Sequence, residues 1–182
     1  MRQGASAPRL YLYPNNMAKI TKIKQREFRF NSSLTEFVIP DTVTTIGKEA
    51  FYDCTNLRSV VIPNGVVEIK DSAFTGCKSL ESLEIPDSVT SIGISAFSFC
   101  ESLKHFKFTK GVSEMGGLSH CIALETIEIP DTVTVIGGWA FNDCRSLKEI
   151  TIPNTVTTIG NRAFYGCSAL KSIVIPDSVT EL

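Results

Sequence analysis

Residues 34–56 read LTEFVIPDTVTTIGKEAFYDCTN, and residues 57–79 read LRSVVIPNGVVEIKDSAFTGCKS. The second stretch repeats the apolar positions of the first: Leu34 and Leu57, Ile39-Pro40 and Ile62-Pro63, Val43 and Val66, Ile46 and Ile69, Ala50-Phe51 and Ala73-Phe74, Cys54 and Cys77. Further along, Cys100, Cys121, Cys144 and Cys167 continue the series, so the cysteines are spaced by 23, 23, 21, 23 and 23 residues. Six units and a partial seventh over residues 34–182 share the pattern L-x-x-apolar-x-I-P-x-x-V-x-x-I-G-x-x-A-F-x-x-C-x-x. Self-similarity at this period marks a stacked repeat architecture.

Each unit reads in two halves. Leu34 to Ile39 alternates apolar and polar residues as a short half-buried strand does. Pro40 removes a ladder donor and stops the strand, and Asp41-Thr42 supplies turn chemistry. Val43, Ile46, Ala50 and Phe51 then point inward. A single unit cannot bury this face alone, but stacking makes a continuous core. The expectation is a repeat solenoid, a right-handed coil. Seven parallel strands form a sheet about 30 Å long on one face, with turns or short 3-10 or helical segments on the other. Gly47, Gly93, Gly116, Gly137 and Gly160 recur between the halves, which suggests a positive φ there. Lys70 occupies that place in the second unit.

The unit resembles the BspA-like, or Treponema pallidum-type, class of leucine-rich repeats, whose signature is I-P-x-x-V-x-x-I-G-x-x-A-F-x-x-C. The likeness extends weakly upstream. Met17, Ile20, Ile23, Phe28 and Asn31 fall one period before Pro40, Val43, Ile46, Phe51 and Cys54. Residues 11–33 therefore read as a degenerate N-terminal repeat after a tail at 1–10, with one continuous solenoid over 34–182. The resemblance implies arrays in secreted or surface-attached proteins linked to adhesion, and no catalytic residues to carry over.

Eighteen basic against nineteen acidic residues leave a net charge of −1, so no global field favours nucleic acid or an anionic membrane. Residues 1–33 nevertheless carry a net of +6, in which Lys19, Lys22, Lys24 and Arg26 read as solvated faces. No run approaches the ~18 apolar residues of a membrane span. Met1–Pro14 lacks the apolar core of an export signal, so a cytoplasmic location is the alternative to the cell surface. Val179 and Leu182 align with Val156 and Ile159, so the last coil is expected to leave its apolar side uncovered and open to self-association.

Nothing in the repeat points to catalytic, cofactor-binding or metal-ligating chemistry. Each cysteine holds a fixed inward place and reads as a small free hydrophobe, with alternate Cys-Cys bridges second. His120-Cys121 is the one His/Cys juxtaposition, but its neighbouring side chains should diverge rather than pair. Asn31-Ser32-Ser33 matches a glycosylation sequon, a pattern short enough to arise by chance.

The candidate partner-binding residues lie elsewhere. Arg58, Glu81, Lys104, Glu125 and Lys148 follow the ladder leucines with alternating sign, and Glu84, Lys107 and Glu128 alternate three positions on. A register-setting charge ladder explains both. The irregular unit, residues 103–123, has Thr109 for the proline, Gly117-Leu118 for Ala-Phe, and two residues missing beside Gly116. It holds both histidines, His105 and His120. Trp139 follows one unit later, at the place of Glu49, Ser72, Ser95 and Arg162, and reads either as a cover for the short coil or as an exposed anchor. The candidate surface is thus His105, Lys107, Trp139, Glu84 and Glu128. It would serve a protein or glycan ligand of a non-catalytic, adhesin-like module, or of an intracellular scaffold.

Overall fold

The computed structural model describes residues 20–108 and 110–182; the expected tail and residues 11–19 of the degenerate repeat lie outside them. Two rows of short parallel strands, numbered in chain order, run along the stack. The first row comprises β2 (Glu36–Val38), β4 (Ser59–Val61), β6 (Ser82–Glu84), β8 (His105–Lys107), β10 (Thr126–Glu128) and β12 (Glu149–Thr151). The second comprises β1 (Lys22–Ile23), β3 (Thr45–Ile46), β5 (Glu68–Ile69), β7 (Ser91–Ile92), β9 (Glu114–Met115), β11 (Val135–Ile136) and β13 (Thr158–Ile159).

The repeat motif accounts for both rows. In the first, the middle residue of each strand is turned into the core, as in Phe37, Leu83 and Phe106, while its neighbours face solvent. Proline ends the strand and starts a turn. The Pro40 carbonyl accepts the Val43 N–H at 2.9 Å, and Pro63, Pro86, Pro130, Pro153 and Pro176 do the same for the valine three residues on. That turn delivers the chain to the two-residue second row, where register places Ile23, Ile46, Ile69 and Ile92 in line.

The expected single sheet of seven strands is corrected in two ways. The first row hydrogen-bonds as three pairs, β2–β4, β6–β8 and β10–β12, and the second row forms two sheets, β1-β3-β5-β7 and β9-β11-β13, that the pattern of the first half did not announce. Stacking nevertheless continues between the pairs through the core residues.

The far side carries turns, and no helix among the described residues. Hydrogen bonding explains why the expected short helical segments do not form. From Glu49 onward, alternate N–H groups leave the coil: Glu49, Phe51 and Asp53 donate to Asp71, Ala73 and Thr75 of the next coil. The intervening Ala50, Tyr52 and Cys54 donate back to Gly47, Glu49 and Phe51. Half the donors a helix needs are spent between coils.

That alternation requires two left-handed corners per coil. One holds Arg26, Glu49, Ser72, Ser95, Trp139 and Arg162, at φ of 54° to 59°. The other, just before the cysteine or, in the first repeat, before Asn31 at its place, holds Phe30, Asp53, Gly76, Phe99, His120, Asp143 and Gly166. The recurring Gly47, Gly93, Gly116, Gly137 and Gly160 are not among them, which corrects their expected positive φ. Close approach explains three: a Cβ on Gly47, Gly93 or Gly160 would stand 2.7, 2.3 or 2.3 Å from the backbone of the preceding coil.

The core is a set of ladders. Phe28, Phe51, Phe74 and Phe97 stack at centroid distances of 5.1, 4.9 and 5.7 Å, and Phe141 stacks on Phe164 at 5.4 Å. All six cysteines are buried and free. Each thiol donates to a carbonyl one coil earlier: Cys54 to Phe28, Cys77 to Phe51, Cys100 to Phe74, Cys121 to Phe97, Cys144 to Leu118 and Cys167 to Phe141, at 3.0–3.4 Å. Each of those carbonyls also accepts the N–H three residues on in its own coil, so the thiol is its second donor and the buried S–H is itself satisfied.

The short fourth coil interrupts this order. Register pairs Met115 with Ile136, and the Gly117 carbonyl accepts the Phe97 N–H just as the Ala96 carbonyl accepts that of Phe74. The two absent residues are therefore the equivalents of Gly138 and Trp139, one whole corner. Gly117 turns left-handed instead, at φ 80°, with its Cβ position 3.0 Å from the Ala96 nitrogen. Gly117→Ala should cost about 1–2 kcal/mol, since a left-handed Cβ carries that penalty. A chemical-denaturation midpoint equal to that of the parent would refute this account of the fourth coil.

Candidate binding surface

Strand alternation sets out two lanes of solvent-facing side chains across the first row. One runs Glu36, Ser59, Ser82, His105, Thr126, Glu149; the other runs Val38, Val61, Glu84, Lys107, Glu128, Thr151. Their middle stretches, from Ser59 to Thr126 and from Val61 to Glu128, floor an open groove of ≈ 1580 Å³ walled by the loops at Asn64, Asp87, Lys110 and Asp131. Small-molecule pockets are typically about 300–1,000 Å³ and concave, so a groove this wide and open suits a macromolecular surface.

Four of the five residues singled out from the sequence meet in this groove: Glu84, His105, Lys107 and Glu128. The Lys107 ammonium is hydrogen-bonded to Glu84, which holds its pKa above the usual lysine range, and Glu128 adds to the effect from the next coil. Charge alternation in the neighbouring lane produces Lys148 Nζ–Glu125 Oε2 at 2.5 Å, which draws the Glu125 pKa down. Both pairs are exposed, so they set register and surface charge more than stability. At the valine end, Val38 and Val61 are about half exposed, at 51% and 56%.

Trp139 stands apart from the groove. It occupies a left-handed corner on the turn side at 47% exposure, and the Arg162 guanidinium of the next coil lies over one ring face, 4.7 Å from the centroid. The ring thus leans on the coil that follows, away from the shortened one. Its column also pairs Arg26 with Glu49, at 2.8 Å, two corners facing each other one coil apart.

The second corner column holds a cluster that the sequence reading passed over. His120 stacks on Phe99 at 4.3 Å, its Nδ1 is 2.8 Å from Ser119 Oγ, and its Nε2 is 3.4 Å from Asp143 Oδ2. Asp143 is also engaged by Arg145 Nε at 3.2 Å and Asn142 Nδ2 at 3.2 Å. Phe99, His120 and Asp143 are each the residue before a repeat cysteine, a spacing that could have found them. The imidazole is clamped on three sides, which suits a structural latch. Cys121 takes no part: its thiol points inward to the Phe97 carbonyl, and burial pushes its pKa well above the ordinary value.

Among the described residues, no group of three or more His, Cys, Asp or Glu side chains converges as a metal site. No helix among them is long and apolar enough to cross a membrane.

Parallel coils of 23 residues with inward Leu, Ile, Phe and Cys ladders and an open strand face define a leucine-rich-repeat solenoid. The chain belongs to the BspA type Leucine rich repeat region family, whose profile matches residues 21–119 and 117–182 in 6 copies. A Treponema pallidum leucine-rich repeat protein of known structure is 30% identical, with a TM-score of 0.76 over 84% of this chain and 72% of its own. A leucine-rich repeat protein from Bacteroides ovatus is also 30% identical, with a TM-score of 0.69 over 88% of this chain. One from Eubacterium ventriosum is 29% identical, with a TM-score of 0.60 over 80% of this chain. The chain spans about half the length of these last two, at 48% and 45%. No curated protein matches the sequence.

Proposed function

We propose that this chain is a non-catalytic binding module that recognises a protein or glycan through the groove over its first strand row. The carrying observation is the groove itself. Glu84, Lys107, Glu128 and His105 line its floor beside exposed Val61, while the opposite side of the same strands is fully buried. Alternating charge beside apolar side chains offers complementarity to a folded or polymeric partner. Membership of the BspA-type family supports an adhesin-like role at a cell surface, with host-matrix proteins and glycans as the first partners to try.

The test is binding of the purified chain to immobilised matrix proteins and a glycan array, with Lys107→Glu beside it. Reversing this charge puts three acidic groups in a row. Binding should fall at least tenfold with the fold unchanged. Equal binding by the variant, or no binder in either panel, would sink the groove reading. Protease added to intact source cells addresses location. Cleavage supports the surface reading, and full protection turns the balance to an intracellular scaffold.

A further inference from the structure

The missing corner of the fourth coil leaves a gap with defined hydrogen-bonding chemistry. In the regular coils, the N–H of the first left-handed residue donates to the carbonyl that precedes its counterpart one coil on. Glu49 donates to Asp71, Ser72 to Ile94, and Trp139 to Asn161, at 2.9–3.0 Å. Two such bonds would have run through the deleted residues. Their loss leaves the Ser95 N–H on the third coil without a backbone acceptor, and the Gly138 carbonyl on the fifth without a backbone donor, among the described residues.

The groups that would satisfy both belong to a single peptide unit. The absent C=O would have accepted from Ser95, and the adjoining N–H would have donated to Gly138. Beyond the gap the stack resumes at normal spacing, with Phe97 N–H to Gly117 at 2.9 Å and Leu118 N–H to Ala140 at 3.0 Å. The two orphaned groups therefore sit about two coil steps apart, roughly 9.6 Å, the span one interposed amide bridges.

The gap is open. A Cβ built on Gly116 would meet nothing within 4 Å. On the near side, β7 and β9 do not pair, so the second strand row is split at this interval. Ile94 is 80% exposed on one lip. On the other stands Trp139, 47% exposed, with Arg162 of the following coil over one ring face.

We propose that this gap is a peptide-binding slot, in which one backbone amide of an extended segment from a partner protein replaces the missing corner. The amide carbonyl accepts from Ser95 and its N–H donates to Gly138. Side chains flanking that amide pack on Ile94 and Trp139. Backbone recognition of this kind supplies affinity through main-chain bonds and specificity through neighbouring side chains. The slot is separate from the first-row groove and does not depend on it.

The test uses a phage-displayed library of random linear decapeptides and two forms of the full chain, the parent and one with Ile-Ser inserted between Gly116 and Gly117. The insertion copies Ile94-Ser95 and fills the slot with the chain's own backbone. Peptides selected on the parent should bind the filled form at least tenfold more weakly and should lose binding when one central amide is N-methylated. On the parent, 15N spectra should show the Ser95 amide shifting downfield on peptide addition. That readout stands even if the filled form does not fold. Lys107→Glu should leave this binding intact, which separates it from the groove. An unmoved Ser95 amide, equal binding by a folded filled form, or no enriched peptide would each overturn the proposal. So would a Ser95 shift with N-acetylglucosamine oligomers in place of peptide.

Discussion

Phe74→Ala lowers the stability of the solenoid by about 3–5 kcal/mol, the range for emptying a buried phenylalanine site. Phe74 is fully buried between Phe51, stacked at 4.9 Å and 3°, and Phe97, stacked at 5.7 Å and 11°. The cavity cannot collapse easily, because Ala73 and Cys77 beside it are held by bonds to neighbouring coils. Nearest-neighbour coupling carries most of a solenoid's stability, so the loss should also loosen coils two and three from each other. Urea denaturation reads the total, and hydrogen exchange locates the break. Phe164→Ala, at the partly exposed end of the shorter stack, should cost clearly less. A midpoint for Phe74→Ala within error of the parent would mean the phenylalanine column is not the core.

The six thiols should react with a disulfide reagent at pH 8 at least 100-fold more slowly in the native chain than in the unfolded one. Burial pushes the Cys54 thiol up to about 11 from its ordinary 9.0, which alone lowers the thiolate fraction about 100-fold. Cys77, Cys100 and Cys121 are raised well above 9.0, by burial first and by the neighbouring thiol of the ladder second. Only the thiolate attacks. The same shifts set a pH dependence of stability. Each folded pKa lies above its unfolded value, so above pH 9 the unfolded chain releases protons that the native chain keeps. Stability is therefore full below pH 9 and falls as pH rises, by about 1.4 kcal/mol at pH 10 for Cys54. Urea midpoints at pH 7, 9 and 10 check the sign, and a flat profile would contradict it. Thiols this inert suit an oxidising or a reducing compartment equally, so their free state does not locate the protein.

The strand row, its buried middle residues and the inward cysteines were legible because period-2 alternation and a 23-residue period are local properties of the chain. Glu84, His105, Lys107 and Glu128 could likewise be placed on one face by counting from each ladder leucine. The left-handed corners were not legible. Glu, Ser, Trp and Arg occupy one of them, with no glycine to advertise it, because a corner held by bonds to the next coil tolerates a Cβ that an isolated turn would reject. The glycines that did recur answer a different demand, the approach of one coil's backbone to another's.

The chain's periodicity thus established a stack of parallel coils, the identity of its core and the face its charges occupy, since each follows from residues a fixed number of positions apart. Where the hydrogen bonds go between coils was settled in three dimensions. Whether Ser95 finds an acceptor, whether His120 meets Asp143, and which neighbour Trp139 leans on depend on what the adjoining coil presents at that height, and a deletion of two residues changes that for its neighbours on both sides.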